Sequence, residues 1–122
     1  MVEVKNITKV YGDHAAIEDI SFSLEPGKVY GLLGPNGAGK STTMNIMTGY
    51  IAASEGTVTI DGADIYKDAK KAKKNIGYLP ENPPVYPEMT VHEYLKFVAE
   101  LKGIKKKDRL IKVEEVMDLA MV

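Results

Sequence analysis

"GLLGPNGAGKSTT", residues 31–43, decides how this 122-residue chain is read. Gly34, Gly39, Lys40 and Ser41 stand at the spacing G-x-x-x-x-G-K-[ST], in which a glycine-rich loop cradles phosphates. Each position has its own physical task. Gly34, Gly37 and Gly39 permit backbone angles that aim successive N–H groups inward as an anion nest. A helix that starts near Gly39 adds the positive end of its dipole at the same point. Lys40 is placed to reach the β- and γ-phosphates, Ser41 to offer a hydroxyl to Mg²⁺, and Thr42 to bond the α- or β-phosphate. The backbone of Asn36, Gly37, Ala38 and Gly39 completes the cradle. The bare pattern also arises by chance, so its surroundings matter. "VYGLLG" before it reads as a short strand buried on both faces. From Lys40 to about Tyr50 the spacing is helical, with Met44, Met47 and Ile51 on one face.

Outward from the loop, the first third of the chain alternates with period two. Val2 and Val4 oppose Glu3 and Lys5; after a turn at "YGDH", Ile20, Phe22 and Leu24 alternate with Ser21, Ser23 and Glu25. These are two strands of a half-buried antiparallel sheet. "EPGK" at 25–28 is a turn. On the other side, "SEGTVTIDG" carries a strand over 57–60. A lysine-rich helical piece then leads to a strand "IGYLP" at 76–80. "PENPPVYPEMT" has four prolines in eleven residues, and proline fixes φ and removes a backbone donor. An ordered, irregular loop is expected there. Thr90 then opens a capping box with Glu93. Val91, Leu95, Val98 and Leu101 or Lys102 continue at helical spacing. A last amphipathic stretch places Leu110, Val113, Met117 and Ala120 or Met121 on one face.

Composition sets the limits. A chain of this length fits one compact domain. There is no cysteine, which excludes disulfides and thiolate metal sites. The N-terminus carries Glu3 and has no apolar core, unlike a signal peptide. No apolar run approaches the ~20 residues that span a bilayer. A role at a membrane would need another chain to supply the span. The net charge is −1, so overall charge does not point to nucleic acid. The lysine runs at 67–74 and 102–109 read as solvated faces. His14 and His92 read as solvated too, and the methionines as core or interface.

The residues around the loop go beyond a generic phosphate site. "GPNGAGKST" at 34–42 resembles the ATPase subunits of ABC transporters almost letter for letter. "ITKVYGDHAAIEDISFSLEPGKVYGLLG" is similar to the opening of that family. "SEGTVTIDGADI" and "KKNIGYLPENPPVYPEMTVHEYL" are similar to the segments that follow its first helix and lead into its helical subdomain. The resemblance covers essentially the whole chain. It implies an α/β fold: a partial P-loop NTPase core, with an N-terminal antiparallel β-subdomain and the start of a helical subdomain. The corresponding parts are 1–27, 28–88 and 89–122.

The resemblance also assigns residues. It implies that Tyr11 stacks on adenine and that Ile17 lies near the ribose or base. Glu81 stands where most members have a glutamine that helps ligate Mg²⁺ and contacts the attacking water. A carboxylate is also a hard oxygen donor, but it adds negative charge near the triphosphate. Metal contacts are thus implied for Ser41 and Glu81, with ATP and Mg²⁺ as cofactors. "LPE" at 79–81 is similar to export-type systems. The implied partners are a transmembrane permease subunit and a second ATP-binding subunit, at the cytoplasmic face of the membrane. Nucleic acid is not expected.

Three family parts are not found in these 122 residues: the "LSGGQ"-like signature, the apolar strand ending in Asp and Glu, and the switch histidine. Phosphoryl transfer depends on positioning and charge stabilisation, and loss of those groups should be severe. The chain is therefore expected to be the N-terminal part of an ATP-binding domain, to bind nucleotide without hydrolysing it alone, and to self-associate through uncovered apolar area. Two alternatives are a soluble ATPase of the same family acting on nucleic acid or ribosomes, and a non-catalytic interaction fragment.

Overall fold

The computed structural model describes residues 1–122. Contacts divide the chain into two compact units, Met1–Tyr78 and Leu79–Val122.

The first unit is built on one antiparallel sheet. Its strands are β1 (Val2–Tyr11), β2 (His14–Leu24), β3 (Glu55–Ile60) and β4 (Ala63–Asp64), in the order β2-β1-β3-β4. β1 and β2 form the expected hairpin, closing with Tyr11 opposite His14 and ending with Val2 opposite Leu24. Val2 also faces Ile60 of β3. The simple alternation does not hold along the hairpin. Asn6 and Asp19 adopt left-handed angles (φ 53 and 45), which short polar side chains tolerate best. The Asn6 amide donates to Asp19 Oδ1 at 2.8 Å. Each irregularity inserts a residue and re-aims the chain. Val4 and Ile7, three apart, are therefore both buried, while Ile20 is turned outward.

Two helices join the sheet in one core. They are α1 (Lys40–Met47) and α2 (Ala69–Lys74), which contribute Ile46 and Ala72 beside Val4, Ile7, Ile17, Val58 and Ile60. The buried positions of α1 are Thr43 and Ile46, and Met44 is 39% exposed. The expected stripe is thus off by one residue at its start, although Met47 and Ile51 do pack on the core. The helix also stops short of Tyr50. Gly49 takes φ 76, Gly49 N–H donates to Ile46 O, and Tyr50 N–H reaches back to Asn45 O at 2.8 Å. That is the two-bond closure of a helix ended by a left-handed glycine. β3 starts at Glu55, two residues before the expected strand.

Two expected strands are absent. Residues 29–33 and 76–80 form no ladder with any strand. Val29 is 101% exposed and Leu33 92%, so the run is not buried on both faces. The physical reason is pairing. A strand with two covered faces exists only between hydrogen-bonded neighbours, and the four-stranded sheet includes neither segment. Ile76 alone of the second segment packs on the core.

The second unit holds α3 (Val91–Leu101) and α4 (Lys106–Ala120). The capping box is as expected: Thr90 Oγ1 accepts from Glu93 N–H at 3.2 Å, and Thr90 N–H donates to Glu93 Oε2 at 2.8 Å. The proline loop is irregular and held in place. Tyr86 packs on Tyr94 and edge-on against Phe97, and Tyr94 Oη donates to Pro84 O at 3.3 Å. The buried residues are Ala99 and Val113, whereas Val91, Leu101 and Leu110 of the expected apolar stripes are exposed.

Candidate phosphate-binding site

The phosphate loop connects the run 29–33 to α1. Gly37 and Gly39 sit in the left-handed region, φ 84 and 92. Gly39 is the residue just before α1, so the first free N–H groups of the helix open on the loop. A β-carbon on Gly39 would lie 2.4 Å from Ile17 Cγ2 and 2.9 Å from the Ala16 carbonyl oxygen. Position 39 therefore needs glycine twice, for its angles and for its space. Ala38 N–H closes a turn onto Pro35 O at 3.2 Å. The Lys40 ammonium donates to the carbonyl oxygens of Gly34 and Pro35. It thereby sits inside the loop. Thr43 Oγ1 donates to Gly39 O at 2.8 Å, tying the first helical turn to the loop.

The loop forms one wall of a cleft of about 350 Å³, within the roughly 300–1,000 Å³ usual for small-molecule sites. Its lining is Tyr11, His14, Ala16, Asn36, Gly37, Gly39, Lys40, Ser41 and Thr42. Seven of the residues singled out in the sequence thus come together. Tyr11 stands at the hairpin end, half-exposed, with Lys9 Nζ 5.0 Å from its ring centroid.

The remaining candidates lie elsewhere. Ile17 is 6% exposed in the core, where it backs Gly39. Ala38 is part of the loop, outside the lining set. Glu81 is exposed in the irregular loop of the second unit. His14 and Ala16 were missed by the sequence reading. Between the pairs Lys9–Ile17 and Val10–Ala15, β2 advances two residues while β1 advances one. Ala16 is that extra residue, and no local pattern in "HAAI" announces it. His14 could have been found from the hairpin, since a two-residue turn at Gly12-Asp13 puts it opposite Tyr11.

The donor set suits a polyphosphate with a hard cation. Mg²⁺ keeps several waters and is held by one or two protein oxygens together with substrate phosphates. The Ser41 hydroxyl on the cleft wall is such an oxygen.

A profile of the family described as ABC transporter matches residues 17–121. The chain is 40% identical over 118 residues to the linearmycin resistance ATP-binding protein of Bacillus subtilis, covering 97% of this chain and 38% of that protein. It is 39% identical over 121 residues to the ribose import ATP-binding protein of Oceanobacillus iheyensis, covering 94% of this chain and 24% of that one. The chain thus spans well under half the length of these relatives. Among solved structures, it superposes with a TM-score of 0.82 and 25% identity on an ATP-binding cassette captured as a dimer, after hydrolysis, with ADP and Pi; all of this chain and 58% of that chain are covered.

Proposed function

The chain belongs to the ABC transporter family, and from that membership we propose that its 122 residues hold MgATP for a transporter whose turnover requires further residues. The observation that carries the reading is the cleft itself. Its lining brings Lys40, Ser41, Thr42, Asn36, Gly37 and Gly39 together with Tyr11. The phosphate wall supplies N–H donors, a cation and hydroxyls. The aromatic side supplies a surface for the base, with no demand on its hydrogen-bonding edge.

Within that reading, Lys40 neutralises terminal phosphate charge by exchanging carbonyl oxygens for phosphate oxygens. The helix N-terminus adds its dipole. Ser41 would hold Mg²⁺, which when bound offsets charge on the phosphates. Ile17 supports the loop from behind. The three family parts not found in the sequence are the reason to assign holding, and not hydrolysis, to these residues alone.

For the whole transporter we propose export through a permease partner at the cytoplasmic side of the membrane, with two ATP-binding subunits acting as a pair. Leu79-Pro80-Glu81 supports that direction, as does a relative named for linearmycin resistance; a relative named for ribose import is nearly as similar. No helix of this chain is long and apolar enough to cross a membrane.

Thermal unfolding tests the holding role. A ligand that binds only the folded state adds RT ln(1 + [L]/Kd), about 2.7 kcal/mol at a hundredfold excess over Kd. MgATP should raise Tm by several degrees in the unsubstituted chain and leave Lys40→Ala where it was. Equal shifts in both proteins would contradict the phosphate-loop assignment.

A further inference from the structure

Lys9 belongs to none of the groups assigned above, yet its ammonium lies 5.0 Å from the centroid of the Tyr11 ring. We propose that Lys9 is a positioning residue for the nucleotide base, acting through Tyr11; the proposal rests on the nucleotide-holding reading above. Lys9 and Tyr11 are two apart on β1, and residues two apart on a strand project to the same face. Lys9 is half-buried and its backbone is in register with Ile17, so the stem starts from a fixed part of the hairpin. Its ammonium takes part in none of the ion pairs of the chain. The ring quadrupole is what holds it.

Two consequences follow for the cleft. Tyr11 is half-exposed at the hairpin tip, where an unrestrained ring would sample several rotamers. A cation over one face removes much of that freedom before ligand arrives, and side-chain ordering is a cost that binding otherwise bears. The cation also closes one face of the ring, leaving the other for a planar base. Lys9 therefore favours ligands that carry a stacking base over a bare polyphosphate.

The test compares MgATP with magnesium tripolyphosphate, which has the phosphates and no base. Affinities of both probes are measured by calorimetry for the unsubstituted chain, Lys9→Met, Lys9→Arg, Tyr11→Ala and Lys9→Met/Tyr11→Ala. An exposed cation–π contact corresponds to roughly two- to five-fold in an equilibrium constant. The ratio of MgATP to tripolyphosphate affinity should fall by that factor in Lys9→Met, recover in Lys9→Arg, and show no further fall when Lys9→Met is added to Tyr11→Ala. If both affinities drop together in Lys9→Met, Lys9 attracts phosphate directly and the proposal is overturned. An equal effect of Lys9→Met with and without Tyr11 overturns it as well.

A nucleotide-free arm reads the contact itself. The ε-methylene protons of Lys9 should resonate upfield of the other lysines through the Tyr11 ring current, and return in Tyr11→Ala. Absence of that shift with intact MgATP binding overturns this proposal alone. Failure of the unsubstituted chain to bind either probe overturns the nucleotide reading and this proposal with it.

Discussion

Gly39 has no room for a side chain, and Gly37 has room but the wrong angles for one. The difference is measurable. Alanine at 39 meets Ile17 Cγ2 at 2.4 Å and the Ala16 carbonyl at 2.9 Å, in addition to the strain of φ 92. Alanine at 37 meets nothing within 4 Å and bears the backbone strain alone, on the order of 1–2 kcal/mol. Urea unfolding should show Gly39→Ala losing clearly more stability than Gly37→Ala; equal losses would contradict the close approach of the loop to β2. At the same scale, Tyr11→Ala should weaken MgATP several-fold, from the roughly 0.5–1.5 kcal/mol of a ring contact. Lys40→Ala should abolish tight binding, because it removes the cation from the phosphate wall. The loop residues were legible in the sequence since their demands are local: each glycine, the lysine and the hydroxyl sit at fixed offsets along one turn. Ala16 was not legible, because its place depends on how β1 and β2 pair around an inserted residue.

Among the elements, α3 shows the same contrast between local and non-local signals. Its start was readable because a capping box is closed by residues three apart. Thr90→Ala should cost about 0.5–2 kcal/mol, seen as lower helicity by circular dichroism and a lower urea midpoint. The carboxylates of such local motifs also fix a pH dependence. Thr90 N–H, then the Thr90 hydroxyl, hold Glu93 below the usual carboxylate range. The backbone N–H groups of Lys67 and Tyr66 do the same for Asp64, at the turn into α2. Both folded values are depressed, so their contribution is present above the unfolded values and lost as pH falls through the folded ones. Unfolding free energy should therefore decline from about pH 4 downward. Glu93→Gln and Asp64→Asn should each flatten that decline; an unchanged slope in both would contradict the assignment. The runs 29–33 and 76–80 were read as strands from apolar character alone. Such character reports a wish for cover, whereas a strand needs a hydrogen-bonded neighbour, and these segments have none in the sheet.

For the whole molecule, that uncovered apolar surface has a consequence. Val29, Leu33 and Leu79 are 101%, 92% and 82% exposed, as is Leu119 at 84%. Exposed apolar side chains favour association, and sedimentation velocity should show the weight-average mass of the chain rising with concentration. Clean monomer throughout the range would contradict this. The family was legible in the sequence because the phosphate loop and its flanks match over most of the chain. The division into Met1–Tyr78 and Leu79–Val122 was not, since it depends on which contacts form across distant positions. At this scale the 122 residues are expected to fold into a working nucleotide cradle. Calorimetric titration of MgATP into the chain tests it most directly. Saturable heat with one nucleotide per chain is expected, lost in Lys40→Ala. No saturable heat from the unsubstituted, folded chain would contradict it.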